Sequence, residues 1–299
     1  MNKDDWRSGI AASVLMSAPL RAPVLFGTKD DVPEATKEAL DSLAPLGSPL
    51  AKGAKALRIG DVAPPGSLQT TPISGSDPFA LAESIDLFVT KAAGQPSPSV
   101  VVASGDDQSF AMPAAAWAAK SGDPVLFTHK DNLPAPTVRA IKRHERPGIY
   151  VLGPASVISD TVLEQLRKLG DVTRIAGRTP VENAIAFARF SDSDFGWGVR
   201  DPGHGLVFAN LDRVQDASAG AALSASGTYG PLILLDSSKD LPSTVEAYLL
   251  DIEPGYRFDP VRGVYNHAWL MGDESAISVD LQSRIDELME IVHVKRGSS

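Results

Sequence analysis

The sequence of 299 residues contains no cysteine. That absence excludes disulfide bonds, thiolate metal sites and cysteine nucleophiles. Positive charge is also in deficit. The sequence has 28 lysines and arginines against 37 aspartates and glutamates, which gives a formal net charge of -9. A nucleic-acid groove or a polybasic membrane surface is therefore not expected. No run of apolar residues is long enough to span a bilayer, so membrane insertion is not expected either.

The common catalytic and nucleotide-binding motifs are missing from the sequence as well. There is no complete G-x-G-x-x-G, P-loop, H-E-x-x-H or G-x-S-x-G pattern, and the 5 histidines are scattered. Such motifs supply phosphate cradles, zinc ligands and activated nucleophiles. We therefore predict no catalytic residue, no metal ligand and no cofactor, and we interpret the protein as a non-enzyme.

The first 20 residues imitate an export signal without matching one. Lys3 and Arg7 precede an apolar stretch, but Asp4 and Asp5 do not suit a positively charged leading region. The repeat described below places this apolar stretch on an internal helix. We therefore predict no export signal in this part of the chain.

What the sequence does contain is an alternation of short apolar strands and helices in its middle third. Short apolar strands that are each followed by a helix are typical of a parallel sheet covered on both faces. The predicted strands are Val100–Ala103, Pro124–Phe127, Ile149–Leu152 and Val172–Ile175, and the predicted helices are Phe110–Lys120, Pro134–Arg143, Ser159–Leu169 and Val181–Phe190. The sequence therefore predicts an α/β fold.

The rest of the chain repeats this unit imperfectly. An offset of 124 − 23 = 101 residues aligns Pro23–Phe26 with Pro124–Phe127 and, without a gap, aligns Asp5 with Asp106. A third copy begins at Leu206 and shows the same order of apolar segments. The pattern therefore predicts tandem modules built from one strand–helix unit.

Three tandem repeat modules are predicted, at residues 1–74, 75–174 and 175–299. The first is incomplete, because it has no strand ahead of Asp4 and a proline-rich interval later in it leaves no room for a helix. A parallel sheet that lacks an interior strand leaves backbone groups of the neighbouring strands unpaired. We therefore expect either that the natural product has further residues before Met1 or that a partner covers this edge.

Five motifs of the middle module occur in a distinctive order. They are Gly105-Asp106, Pro124–Phe127, Leu133-Pro134, Tyr150–Gly153 and Arg174–Gly177. Their order and spacing resemble the type 2 cell-wall-binding repeat of bacterial surface and S-layer-associated proteins. The resemblance covers nearly the whole chain in three copies. It implies three modules around a pseudo-threefold axis, each with a short parallel sheet flanked by helices.

The resemblance also implies a function and a location. It implies a secreted protein of the bacterial cell wall that binds an anionic wall polymer non-covalently and without catalysis. The implied partner is that polymer or another surface protein. In the family the Pro-Ile-Leu-Leu strand matters for anchoring, and by motif this role carries over to Val24, Leu25, Phe26, Val125, Leu126, Phe127, Ile233, Leu234 and Leu235. Burial in a sheet is the simpler interpretation of these apolar strands, and their role in anchoring would then be indirect.

Six basic side chains are the candidates for contact with the polymer: Lys29, Lys130, Lys239, Arg58, Arg174 and Arg178. The lysines follow predicted strands beside helix starts, where open parallel sheets bind ligands and helix N-termini attract phosphate or carboxylate groups. Arginine makes bidentate contacts with such anions. For each residue alone, a solvated lysine or a surface ion pair is the simpler alternative.

Two other functions stay open beside wall anchoring. The first is a scaffold subunit of a surface or multiprotein complex that has lost polymer binding. The net charge of -9 favours it, as does the family's Arg-Tyr-Glu-Thr motif, which is reduced here to Pro180–Asn183. The second is a small-molecule enzyme with its site at the carboxyl edges of the sheets, and the missing catalytic motifs argue against it.

Overall fold

A computed structural model describes residues 1–227 and 229–294 of the chain. The helices are α1 (Trp6–Ala12), α2 (Glu34–Leu43), α3 (Pro78–Ala93), α4 (Gln108–Ala111), α5 (Pro113–Ser121), α6 (Ala135–Arg143), α7 (Asp160–Arg167), α8 (Pro180–Arg189), α9 (Val214–Ala225), α10 (Ser243–Asp251) and α11 (Val279–Met289). The strands are β1 (Ala56–Ile59), β2 (Thr70–Ile73), β3 (Ser99–Ser104), β4 (Val125–Thr128), β5 (Gly148–Leu152), β6 (Asp171–Ile175), β7 (Gly205–Asn210), β8 (Leu232–Leu235), β9 (Gly255–Tyr256), β10 (His267–Leu270) and β11 (Val292–His293). These strands pair in parallel. The predicted α/β class, with short parallel sheets flanked by helices, is confirmed.

The second sheet has four strands in the order β4-β3-β5-β6. The central strand β3 is a run of valines, and Val100, Val101 and Val102 are fully buried. Val101 pairs with Val125 of β4 on one side and with Tyr150 of β5 on the other. A strand with neighbours on both sides and helices on both faces exposes nothing to water, which explains its unbroken apolar sequence.

The third sheet has the order β10-β7-β8, and β11 does not join it. Instead β11 pairs with β9, a short strand that the sequence pattern did not predict. The last strand of the described chain therefore lies in a separate two-stranded pair. As a result β10 is an edge strand, and the side chain of Trp269 on it is 47% exposed.

The first sheet has two strands. Within the described ranges β1 pairs with β2 and with no other strand, and no helix separates the two. The segment Val24–Phe26, which the sequence equates with β4, is extended and half-buried but is not a regular strand. It meets the start of the chain at a single parallel bridge between Asn2 and Gly27.

The start of the chain takes a different repeat register from the predicted one. The side chain of Asp5 caps α1, as the side chain of Asp107 caps α4. A helix cap must immediately precede the first turn, so the two caps are equivalent positions and their offset is 107 − 5 = 102. The ungapped pairing of Asp5 with Asp106 is therefore wrong by one residue, although Pro23–Phe26 keeps the offset of 101.

Three helices rich in small residues join these parts of the chain by packing against one another: α1 with the 3-10 turn Ser13–Met16 that follows it, α5, and α9. Gly9 of α1 lies so near α9 that a Cβ atom built on it would be 2.8 Å from Ser218 Oγ. The alanines of α5 are all buried: Ala114, Ala115, Ala116, Ala118 and Ala119. Small side chains allow the three backbones to approach closely without leaving voids.

Two helices pack against the sheet that follows them in the sequence. α3 contacts β4 and α6, and α8 contacts β8 and α10. Each of these helices therefore covers a face of the next strand–helix unit. The module boundaries at residues 74 and 174, and the count of three copies, stay predictions.

The contact between α3 and α6 contains a buried charged network. Asp86 and His144 are both buried, and His144 Nε2 lies 2.9 Å from Asp86 Oδ1. His144 Nδ1 lies 2.8 Å from the carbonyl oxygen of Ser97. Arg143 donates to Asp86 at 3.1 Å and to Glu83 at 2.9 Å. Because both ring nitrogens of His144 face acceptors, the doubly protonated, positively charged imidazolium fits this site best.

We expect this network to make the stability depend on pH. Burial lowers the pKa of His144, but the hydrogen bond to Asp86 and the charge of that carboxylate outweigh burial, so the pKa is raised above 6.5. A raised pKa stabilises the fold while the proton is bound, so the contribution is full below pH 6.5 and is lost as the pH rises through the raised value. The free energy of unfolding is measured with urea between about pH 5.5 and pH 9 for the wild type and for His144→Gln. The difference, wild type minus variant, should fall as the pH rises.

The variant comparison isolates His144 from other titrating groups. Burial lowers the pKa of the Met1 amine to about 6, so that amine changes the stability in the opposite direction. It does so in both proteins, and its effect cancels in the difference. A difference that stays constant over this pH range would show that His144 is held neutral.

Candidate functional site at the carboxyl edges of the sheets

Three loops, which we call the edge loops, leave the sheets at their carboxyl ends. They comprise residues 28–33, 129–134 and 236–242 and lead from Val24–Phe26, β4 and β8 into α2, α6 and α10. Each edge loop contains one of the predicted lysines, and Lys29, Lys130 and Lys239 are all exposed.

One backbone hydrogen bond is repeated at all three edge loops. An N–H group in the turn after β1, β5 or β10 donates to a carbonyl oxygen of the loop. The three bonds join Ala63 to Thr28 at 2.9 Å, Ser159 to Lys130 at 2.9 Å and Ser278 to Ser238 at 2.8 Å. Because different residue types make the same bond, the three edges share a local backbone arrangement.

A carboxylate shapes the edge of the second sheet. Asp106 accepts from the backbone N–H of Lys130 at 3.1 Å and lies 2.7 Å from Nδ1 of His129. The ring of Phe79 packs on His129 with centroids 4.6 Å apart. Asp106 therefore holds the loop backbone, and it also places a negative charge beside the lysine.

Arg7 reaches this edge from a distant part of the sequence. Its Nε donates to the carbonyl oxygen of Gly105 at 2.6 Å, and its guanidinium lies 4.4 Å from the ring centroid of Trp6. A similar contact joins Gln215 Nε2 to the carbonyl oxygen of Lys3 at 3.0 Å. At both places, a side chain on a helix donates a hydrogen bond to a backbone carbonyl oxygen that lies far away in the sequence.

The predicted arginines are engaged with the protein to different degrees. Arg174 donates to the carbonyl oxygens of Gly153 at 2.6 Å and Ile158 at 2.8 Å, so it mainly fixes the turn beside its edge loop. Arg58 donates to the carbonyl oxygen of Val62 at 3.3 Å, next to the edge loop that contains Lys29. Arg178 pairs with Glu182, and its side chain is 87% exposed.

The fold brings four of the predicted basic residues, as two lysine–arginine pairs, to common turns. Lys29 forms an ion pair with Asp61 at 3.3 Å, in the turn that Arg58 also contacts. The carbonyl oxygen of Lys130 accepts from the backbone N–H of Ser159, and the Arg174 side chain donates to Ile158 in the same turn. Lys239 has no arginine of the predicted set assigned to its turn.

Nearby carboxylates give these edges a mixed charge. Hydrogen bonds from Ser275 lower the pKa of Asp273, and hydrogen bonds from Arg178 lower the pKa of Glu182. Both groups are therefore negatively charged at neutral pH. An anionic polymer would meet lysines that stand among carboxylates instead of a uniformly positive surface.

The strands of the anchoring motif lie mainly in the core. Val125, Leu126 and Phe127 are at most 1% exposed, and the corresponding residues of β8, Ile233–Leu235, are fully buried. Val24–Phe26 is half-buried. These nine apolar side chains support the sheets that carry the edge loops, and their role in anchoring stays a prediction.

Comparison with known proteins gives a family-model match for part of the chain and a fold for nearly all of it. Residues 73–163 match the family model described as cell wall binding domain 2 (CWB2). The amidase enhancer of Bacillus subtilis (strain 168) is 28% identical over 277 residues, which are 90% of this chain and 34% of that protein. The chain therefore spans about a third of this curated relative.

Two solved structures from Clostridium difficile share the fold. Cwp8 has a TM-score of 0.73 at 21% identity, and the match covers 96% of this chain and 46% of that one. Cwp6 has a TM-score of 0.76 at 19% identity, and the match covers 97% of this chain and 43% of that one. The family match runs from the end of β2 into α7 and includes the edge loop at residues 129–134. Residues 73–163 therefore match the cell wall binding domain 2 family model, and nearly the whole chain has the fold of Cwp6 and Cwp8.

Proposed function

We propose that the chain is a non-enzymatic cell-wall-binding protein of a bacterial surface, which anchors itself or a partner to an anionic wall polymer. The family match of residues 73–163 carries this proposal. The amidase enhancer supports it, since its name describes a protein that assists an enzyme. In the described part of the chain, no helix has the length and apolar character that a bilayer crossing requires.

The polymer would bind across the edge loops. Lys29, Lys130 and Lys239 are exposed there, and Arg178 is the most exposed of the three predicted arginines. Phosphate or carboxylate groups of a polymer can pair with these side chains and approach the N-terminal ends of the following helices. Arg58 and Arg174 would act chiefly by holding the turns beside the loops. Binding of this kind is the sum of several weak ionic contacts.

A scaffold function remains the alternative. The carboxylate of Asp106 stands beside Lys130, and the chain has a net charge of -9. Both features weaken the attraction for an anionic polymer and leave room for a protein partner. The name of the amidase enhancer makes a wall amidase the first protein partner to test.

Co-sedimentation with purified cell walls separates these functions. Walls are compared before and after chemical removal of their anionic polymers, at about 50 mM and about 500 mM salt. Wall anchoring requires binding that falls when the polymer is removed and when salt screens the charges. Equal binding to stripped walls, or binding that salt leaves unchanged, would refute the ionic mechanism.

We expect the wall-binding energy to be spread over several residues. Lys130→Ala should weaken binding about 1.5- to 5-fold, because an exposed ion pair contributes ~0.2–1 kcal/mol. Arg174→Ala should also weaken it modestly, because Arg174 holds the turn beside the edge loop. Lys91→Ala is the matched control, since this exposed lysine lies at the far end of α3. Equilibrium binding to walls at low salt measures the effect. Loss of all binding in one variant, with the thermal melting unchanged, would point to a single specific site instead.

A further inference from the structure

The guanidinium of Arg7 is fixed at the edge of the second sheet, but most of its donors are unused. Its Nε atom donates to the carbonyl oxygen of Gly105 at 2.6 Å. Within residues 1–227 and 229–294, the structure shows no ion pair of Arg7 and no hydrogen bond from its two terminal nitrogens. A guanidinium can donate from Nε and from both terminal nitrogens. The two terminal nitrogens of Arg7 are therefore available to a ligand.

Stacking on Trp6 orients this guanidinium without using its donors. The guanidinium carbon lies 4.4 Å from the ring centroid of Trp6, and that ring meets Phe127 of β4 edge-on with centroids 5.9 Å apart. A stacked guanidinium keeps its N–H groups in its own plane, where they can bind a carboxylate or phosphate in pairs. The side chain of Arg7 is half-buried, so an ionic contact there is screened less by water than one at an exposed lysine.

The corresponding residue of α9 shows that the contact with the backbone needs no charge. Arg7 and Gln215 are the second residues of α1 and α9. Gln215 Nε2 donates to the carbonyl oxygen of Lys3 at 3.0 Å, and Lys3 corresponds to Gly105 by the offset 105 − 3 = 102. A neutral amide thus makes the same bond as the Nε of Arg7. The second residue of α4 is Ser109, so only one of the three helices has an arginine at this position.

The carboxylates next to Arg7 are engaged by other donors. Asp106 accepts from the backbone N–H of Lys130 at 3.1 Å, and Asp107 accepts from a backbone N–H at the start of α4 at 3.0 Å. In the described part of the chain, neither carboxylate forms an ion pair with Arg7. Gly105 binds Arg7, and its neighbour Asp106 binds the edge loop of Lys130. The edge of the second sheet therefore combines an oriented guanidinium with an exposed ammonium group.

We propose that Arg7 binds a phosphate or carboxylate group of a ligand beside Lys130, and so forms an anion subsite at the edge of the second sheet. Ser109 and Gln215 supply no guanidinium at the corresponding places, so an anionic polymer would be held more tightly at this edge than at the other two. As a subsite for a wall polymer it rests on the proposed function, whereas the binding of a small anion does not.

Arg7→Gln removes the charge and keeps the contact with the backbone, since Gln215 makes the same bond. We expect thermal melting close to that of the wild type, and binding to purified walls about tenfold weaker, because hydrogen bonds to charged groups are the strong ones. Arg146→Gln is the matched control. Arg146 is an exposed arginine ahead of β5, at the opposite end of the strands from the edge loops, and its substitution should leave binding unchanged.

If Arg7→Gln binds walls as tightly as the wild type does, the proposal is overturned and Arg7 serves only as a contact between parts of the chain. The same conclusion follows if Arg146→Gln weakens binding as much as Arg7→Gln, because the effect would then reflect net charge alone.

Titration with small anions tests the subsite without walls and without a variant. The probes are sodium phosphate and sodium acetate, added to the nitrogen-15-labelled protein at constant ionic strength against sodium chloride. We expect saturable shifts of the Arg7 Nε–H resonance and of the Lys130 amide, and the Lys130 shift should be lost in Arg7→Gln. The comparison of phosphate with acetate identifies the preferred anion.

The absence of a saturable shift with either anion would overturn the proposal. Saturable shifts in a protein that does not bind walls would instead refute wall anchoring and support the anion subsite, so the two proposals fail separately.

Discussion

Leu126→Asp is expected to unfold the protein rather than weaken its binding to walls. Leu126 is fully buried in β4, with β3 beside it and helices packed on the sheet. A carboxylate at this place loses its hydration and gains no partner, so the variant should lose at least about 4 kcal/mol of stability. Circular dichroism and thermal melting of the purified variant measure the loss. A variant that melts normally but no longer binds walls would show that the strand is a contact surface.

Leu25→Asp is the matched control for this substitution. Leu25 occupies the same motif position in the first sheet, but it is half-buried and lines a cavity of about 380 Å³ beside that sheet. Water that enters the cavity can hydrate the new carboxylate, so the loss of stability should be about 1–2 kcal/mol. The two variants together distinguish burial in a sheet from a general requirement for the motif. Equal losses in both would mean that the first sheet is as closely packed as the second.

Asp86→Ala is expected to be the second most damaging single change. The buried carboxylate of Asp86 accepts hydrogen bonds from His144 and Arg143. Removing the carboxylate leaves a buried positive charge without its partner, which costs about 3–5 kcal/mol. Urea unfolding at about pH 6 measures the loss, because His144 is then protonated in the wild type. The loss should shrink at higher pH, since His144 can lose its proton.

A double substitution checks the mechanism of this loss. Asp86→Leu with His144→Leu replaces the interacting groups with apolar side chains, and it should recover part of the stability that Asp86→Ala loses. Glu83→Ala is the control on the same helix, because Glu83 pairs with Arg139 and Arg143 nearer the surface. A double variant as unstable as Asp86→Ala would show that packing at this contact matters more than charge.

The strand–helix order of the second sheet could be predicted because it depends on local sequence. A run such as Val100–Ala103 is apolar on both faces, and only a strand in a covered sheet buries both faces. The helix predicted at Phe110–Lys120 is in fact divided into α4 and α5, because Pro113 begins a new helix. Strong local periodicity thus determined the element types but not all of their boundaries.

The third and first sheets show what local patterns do not contain. Gly255-Tyr256 has no strand pattern, and it becomes β9 only because β11 pairs with it. At the chain start, consecutive aspartates occur in both copies, and the offset of 102 superposes both pairs while the ungapped offset of 101 superposes Asp5 on Asp106. Only the helix caps show which aspartate of each pair is equivalent.

The sequence predicted the positions of the lysines in the candidate site, but it did not predict the side chains that contact the edge loops. Lys130 follows an apolar strand, and the end of a parallel strand is recognisable from sequence. The contact of Arg7 with Gly105 joins residues far apart in the chain, and no spacing signals it. The polar role of Asp106 depends in the same way on His129, which the sequence pattern left unassigned.

The close packing of α1, α5 and α9 also limits how such a chain can change over generations. Gly9 and the alanines of α5 pack against neighbours from other parts of the same chain, so their sizes are matched as a set. A segment transferred alone from a related gene would bring side chains fitted to different neighbours, and overpacked contacts destabilise. Recombination that preserves the fold is therefore expected to exchange α1, α5 and α9 together.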